Sequence, residues 1–121
     1  MTFCLRCAVW FCLTLLTTAC GTSAQQQCLA AKTSWHTKAE ANVTGALAHL
    51  TDPATAKEMK AVGDHEIAVQ DLVFIDLCGK RNDADRACLQ AFTFNSQDPT
   101  CKDAVKAMQH DLGEAIDHAK P

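Results

Sequence analysis

Apolar residues return every three or four positions along most of this chain, the spacing that gathers them on one side of an α-helix. The clearest such stripe lies near the C-terminus and consists of Cys101, Val105, Met108, Leu112, Ile116 and Ala119. A second stripe begins earlier and consists of Leu29, Trp35, Ala39, Val43, Ala46, Leu47 and Leu50. Residues 72–78 are apolar around most of the circumference of a helix, so we expect this segment to lie at the centre of the fold.

Short polar breaks divide this pattern into four predicted helices, over residues 28–50, 53–78, 84–94 and 99–119. The Asp-Pro pairs at 52–53 and 98–99 are typical helix starts, because aspartate accepts a backbone N–H and proline fits the first helical position. We expect Gly79 to end the second helix in a left-handed conformation. We expect Gly63 to bend or divide that helix.

Composition favours the same architecture. Of the 97 residues that follow position 24, 17 are alanine, the strongest helix former, and the chain contains no tyrosine. No segment is a convincing partner for a β-strand. We therefore predict an all-α fold, a compact antiparallel bundle of four short helices, or five if the second helix is divided.

The first 24 residues have the layout of a secretory signal peptide. Arg6 precedes an apolar run over residues 8–16, and small and polar residues follow as far as Ala24. The run is shorter than the roughly 20 apolar residues that span a bilayer. We predict cleavage after Ala24, which leaves a single secreted, extracellular domain over residues 25–121.

Cys20 provides an alternative end to this leader. A bacterial lipoprotein is cleaved before a cysteine that then carries lipid, and here Leu16 precedes Cys20 by four positions instead of the usual three. Under this weaker alternative, the protein is anchored in the periplasm through Cys20. No later apolar segment is long enough for a membrane span.

Four cysteines remain beyond the predicted leader, at Cys28, Cys78, Cys88 and Cys101. An even number in a small exported chain predicts disulfides, and the spacing lacks the close pairs of a zinc site. An antiparallel hairpin of the first two helices brings Cys28 and Cys78 to the same end. We therefore favour Cys28–Cys78 with Cys88–Cys101, and keep Cys28–Cys88 with Cys78–Cys101 as the alternative.

Charge and motifs exclude several functional classes. The 11 basic and 14 acidic residues give a net charge of −3, which carries no signature of nucleic-acid binding. The chain lacks a nucleophile elbow, a zinc-protease motif and a glycine-rich phosphate loop. We therefore expect a protein without enzymatic activity, metal or cofactor.

Histidine and carboxylate side chains recur at four-residue steps in the last helix, at His110, Glu114 and His118. Such a row could ligate a divalent cation. It also lies opposite the apolar stripe, where alternating charges are typical of a solvated helix face. We favour the solvated face.

Two functions fit a small, stapled body without catalytic motifs. We expect a secreted interaction protein, such as an effector, a toxin-like protein or a signalling ligand, that binds a protein partner. The alternative is an extracellular carrier with a small hydrophobic ligand inside the bundle. The residues predicted to line that pocket are His36, Met59, Phe74, Phe92, Phe94, Met108 and Leu112.

Asn42-Val43-Thr44 matches the acceptor motif for N-linked glycosylation. Asn42 falls at the edge of the apolar stripe of the first helix, where its side chain is expected to reach solvent. The motif has meaning only in a eukaryotic secretory pathway.

Overall fold

A computed structural model describes residues 23–90 and 98–120. Its four helices are α1 (Ala24–Leu47), α2 (Pro53–Gly79), α3 (Asp83–Gln90) and α4 (Pro99–His118). The predicted all-α, disulfide-stapled bundle is confirmed. The leader up to residue 22, including Cys20, lies outside the described residues, as do Phe92 and Phe94. Within the described residues, no helix is long and apolar enough to cross a membrane.

The helices form a ring in which each one packs on two neighbours. Helix α1 packs against α2 and α3, and α4 packs against the same two helices. The order around the ring is therefore α1, α2, α4 and α3. Among the described residues, each helix is covered mainly by two others, so part of its circumference is left for solvent.

Both predicted Asp-Pro helix starts are confirmed. The side chain of Asp52 accepts a hydrogen bond from the backbone N–H of Thr55 at 2.9 Å, and proline follows in the first turn of α2. The side chain of Asp98 accepts from the backbone N–H of Thr100, also at 2.9 Å, at the start of α4. Each aspartate satisfies an N–H that has no partner inside its helix.

The expected break at Gly63 is wrong, because α2 runs unbroken from Pro53 to Gly79. Gly63 is instead a point of close approach between α1 and α2. A Cβ atom added at Gly63 would lie 2.7 Å from Cγ2 of Val43 and 3.0 Å from its Cγ1. The glycine therefore serves interhelical contact, and its backbone stays helical.

The expected left-handed conformation of Gly79 is also wrong. Gly79 is the last residue of α2, and no glycine in the described stretches has a positive φ angle. The cap is Lys80, with φ −78° and ψ −7°, and the N–H of Arg81 bonds the carbonyl of Cys78 at 3.0 Å. This right-handed turn leads directly towards α3, so no left-handed residue is required.

A single core joins all four helices. Its buried members are Cys28, Ala31, Trp35, Phe74, Cys78, Leu89, Met108 and Leu112. The rings of Trp35 and Phe74 meet at a tilt, with centroids 5.6 Å apart. The indole N–H of Trp35 donates to the carbonyl of Leu89 at 3.3 Å, which ties α1 to α3.

Two predictions about buried leucines are wrong. Leu29 belongs to the predicted apolar stripe of the first helix but is 49% exposed, because Cys28 and Ala31 take the core-facing positions of that turn. Leu72 belongs to the segment predicted to be buried on most sides but is 82% exposed. Within the described residues, helix α2 packs mainly against α1 and α4, so its third side faces solvent.

The predicted disulfide pairing is confirmed. Cys28 bonds Cys78 with Cα atoms 5.7 Å apart, and Cys88 bonds Cys101 with Cα atoms 5.1 Å apart. The bridges join residues 50 and 13 positions apart in the sequence. On the chain-entropy account, loops of these lengths stabilise the fold by about 4 and about 3 kcal/mol respectively.

Candidate interaction surface

The residues predicted to line a ligand cavity do not share one surface. Phe74 and Met108 are fully buried and Leu112 is 3% exposed, all within the packed core. Met59 is 47% exposed. It precedes Phe74 by fifteen residues on a continuous helix, a rise of about 22 Å. The described part of the chain therefore gathers three of these seven residues into the core and places Met59 far from them.

His36 joins α1 to α2 through carboxylates on both sides of its ring. Its Nδ1 lies 2.8 Å from Oδ2 of Asp71 in α2, and its Nε2 lies 3.2 Å from Oε1 of Glu40 in α1. The hydrogen bond to Asp71, helped by the negative charges of both carboxylates and opposed by desolvation, raises the pKa of His36 above 6.5. Each ring nitrogen therefore lies beside a carboxylate, and the pair with Asp71 links α1 to α2.

Arg86 is a nearly buried cation, 9% exposed, where α1, α3 and the turn after α2 meet. Its Nε donates to Oε1 of Gln27 at 2.9 Å, and its terminal nitrogens donate to the carbonyl of Arg81 and to Asp83. A guanidinium can be buried when its donors are satisfied in this way. Sequence reasoning missed this group, because Gln27 lies 59 positions away and no local pattern links the two.

The polar face of α4 is solvated, as expected. His110, Glu114 and His118 are all exposed. The side chains that lie close enough to share a cation are those of His110, Asp111 and Glu114, with one potential ligand atom from each within 4.8 Å of the others. The predicted row had His118 in place of Asp111. Oδ2 of Asp111 forms an ion pair with Arg81, which ties α4 to the turn after α2. This cluster therefore already has a cationic partner within the fold.

The third side of α2 carries a continuous seam with heptad spacing. We call it the α2 seam, and its residues are Ala61, His65, Ala68, Leu72, Ile75 and Gly79. Their separations alternate between four and three, the repeat that keeps a row of residues facing a second helix. Ile75 is half-buried and packs partly against the core, and the other five members are exposed. The seam is about 27 Å long, and histidine is its only titratable residue.

This seam could have been found in the sequence. Residues 61–79 show two rows of mostly apolar residues, one facing the core and one, which includes His65, with the alternating separations of a coiled-coil interface. A helix that is apolar on every side is usually interpreted as buried within the fold. A second apolar row can also form an interface with another protein, and that interpretation fits α2. The large apolar side chains that α2 exposes are Leu72 at 82%, Val62 at 57% and Met59 at 47%, and of these only Leu72 belongs to the α2 seam.

Asn42 lies on an exposed part of α1, so its side chain is accessible in the folded chain. The next residue, Val43, is half-buried against Gly63 of α2. A glycan on Asn42 would therefore stand beside the crossing of α1 and α2, outside the core.

Comparison with known proteins does not place the chain in a group. No protein family, no curated protein and no solved structure matches its sequence or its fold.

Proposed function

We propose that this chain is a secreted, non-enzymatic interaction protein that binds a protein partner through the α2 seam. The observation that carries the proposal is the exposure of Leu72, at 82%, within a row that has the spacing of a helix–helix interface. The partner is expected to present an apolar helix, because heptad spacing on one side needs a matching row on the other.

Single exposed apolar side chains are ordinary on protein surfaces and need no partner. The α2 seam differs because five of its six residues cannot ionise and the row repeats over about five helical turns. Charged pairs such as Asp76 with Lys80, at 2.9 Å, lie beside it and leave it clear.

Three further features support secretion. The leader pattern at residues 1–24 is that of an exported chain. The two disulfides are compatible with an oxidising, extracellular environment. In a eukaryotic host the accessible Asn42 would also carry an N-linked glycan.

The secretion half of the proposal is tested by expressing the full chain in a eukaryotic secretory host. We expect the protein in the medium, without residues 1–24, and heavier by a glycan unless Asn42 is replaced by Gln. A chain that stays inside the cells with its leader intact would contradict this half.

The binding half is tested with immobilised wild-type protein, Leu72→Glu and a matched control, Leu29→Glu. Leu29 is also an exposed leucine, at 49%, but lies on α1, outside the α2 seam. All three are exposed to the extracellular fluid of the producing organism, and any retained protein is then purified and titrated. Burial of one leucine is worth about 1.5–3 kcal/mol, so Leu72→Glu should weaken the affinity by at least about 10- to 100-fold.

The control separates the seam from general stickiness. Leu29→Glu should bind as the wild type does. Equal binding by Leu72→Glu would show that the seam is not the interface. Self-association of the purified wild type, measured by sedimentation and lost in Leu72→Glu, would show that the seam pairs with a second copy and would overturn the proposed partner.

A further inference from the structure

The start of α1 is built from residues on both sides of the predicted cleavage site. Ser23 caps the helix, with its side chain accepting from the N–H of Gln26 at 3.2 Å and its own N–H donating to Oε1 of Gln26 at 3.1 Å. Cleavage after Ala24 removes this reciprocal cap. The first helical turn of the mature chain would then begin at Gln25, whose side chain is exposed.

The residues immediately after Gln25 hold the new terminus in place. Gln27 accepts a hydrogen bond from the nearly buried Arg86 at 2.9 Å, and Cys28 is fully buried in its disulfide with Cys78. These contacts fix the turn within three residues of Gln25. Cleavage would thus place a free α-amine at the positive end of an anchored helix, where a positive charge is unfavourable.

We propose that Gln25 of the secreted chain is converted to pyroglutamate. The free α-amine nitrogen attacks the side-chain Cδ of the same residue, and a lactam C–N bond forms. The bond between Cδ and Nε2 breaks, and Nε2 leaves as ammonia with the proton that the amine gives up. The step needs no oxidant, reductant or second substrate, and it removes the one titratable amine of the terminus.

This modification has two physical consequences. An α-amine with an ordinary pKa near 8 is mostly charged at neutral pH, so cyclisation removes a positive charge from the helix start. The lactam also leaves no primary amine for an aminopeptidase to bind. The exposed start of α1 would therefore resist trimming towards Cys28.

This inference rests on the proposed secretion. The intact mass of the purified protein distinguishes failure of cyclisation at Gln25 from failure of secretion. The full chain is expressed in a eukaryotic secretory host and purified from the medium without reductant, together with the variant Gln25→Ala, and both are deglycosylated. We expect wild type to begin at residue 25, with two disulfides and one ammonia less than the encoded residues. The variant should match its encoded residues without that loss.

Each other result has a distinct meaning. A chain that begins at an unmodified Gln25, or at any other residue after export, would overturn this inference and leave secretion intact. A chain that retains residues 1–24 would overturn the proposed secretion itself. As a second readout, a general aminopeptidase should digest Gln25→Ala and spare the wild type until pyroglutamyl peptidase is added. Digestion of the untreated wild type would also overturn the inference.

Discussion

Replacement of Gly63 by alanine tests whether the crossing of α1 and α2 depends on the missing side chain. In an isolated helix, the change should stabilise, since glycine is about 0.8–1 kcal/mol less favourable than alanine. In this fold the new methyl group would meet both methyl groups of Val43, at 2.7 and 3.0 Å. Rotation of Val43 offers little relief, because valine in a helix strongly prefers one rotamer.

The magnitude follows from these two opposing effects. Overpacking by one methyl group in a tight contact costs about 1–3 kcal/mol. Set against the helical gain of about 1 kcal/mol, Gly63→Ala should range from near neutral to about 2 kcal/mol destabilising. For a domain of about 100 residues, each kcal/mol corresponds to about 4–8 °C in Tm.

The matched control is Gly113→Ala in α4, where an added Cβ meets nothing within 4 Å. This variant should gain about 1 kcal/mol from helix propensity alone. Thermal and urea unfolding of the oxidised proteins, followed by circular dichroism, measure both changes. The decisive quantity is the difference between the two glycine variants, expected to be about 1–3 kcal/mol.

Val43→Ala completes a double-mutant cycle. With the valine methyl groups removed, Gly63→Ala should become stabilising by about the same amount as Gly113→Ala. If Gly63→Ala alone raises Tm as much as Gly113→Ala, or if Val43→Ala leaves its effect unchanged, then close helix contact is not the reason for glycine at this position.

Three further predictions concern the core, the bridges and pH. Phe74→Ala should lower the free energy of unfolding by about 3–5 kcal/mol, because Phe74 is fully buried. Leu72→Ala should change it by less than about 0.5 kcal/mol, because Leu72 is exposed. Equal effects of the two variants in urea titrations would refute the assignment of the core. Under mild reductant, iodoacetamide should label Cys88 and Cys101 first, because both are partly exposed while the bridge between α1 and α2 is fully buried; mass mapping that finds the opposite order would contradict this. The folded-state pKa of His36 is raised above 6.5, so its ion pairs stabilise the fold fully below pH 6.5 and weaken as pH rises through the raised value. The difference in stability between wild type and His36→Gln should therefore shrink from pH 6 to pH 9. A difference that stays constant in urea titrations over this range would show that protonation of His36 does not stabilise the fold.

Local signals in the sequence are enough for the helix starts, whereas for the disulfides the sequence favours one of two pairings and the structure decides between them. An aspartate before proline acts within one helical turn, so Asp52 and Asp98 can be assigned without knowledge of any partner. The pairing of Cys28 with Cys78 depends on one topological assumption, that the first two helices are antiparallel. Such features depend on residues close in sequence or on chain order alone.

Features set by distant neighbours are not predictable in the same way. The sequence shows that Leu72 is apolar, but only the packing of the four helices leaves it uncovered among the described residues. Glycine is a residue type that often breaks a helix, so the sequence predicts a break at Gly63. Its actual role, close contact between α1 and α2, depends on Val43, twenty positions earlier. Arg86 can be buried because Gln27 and Asp83 accept hydrogen bonds from its guanidinium. The contact with Gln27 cannot be predicted from the residues next to Arg86 in the sequence.

The placement of the two disulfides divides the covalent structure at the turn after α2. One bridge closes α1 onto α2 and the other closes α3 onto α4, so neither crosses from the first pair to the second. Within the described residues, a protease cut between Gly79 and Asp83 would therefore leave two cyclic fragments, linked by the shared core and by non-covalent contacts such as that of Trp35 with Leu89. The protein therefore resembles a non-covalent complex of two helical hairpins. The three residues between Gly79 and Asp83 link the hairpins and give each a high effective concentration relative to the other.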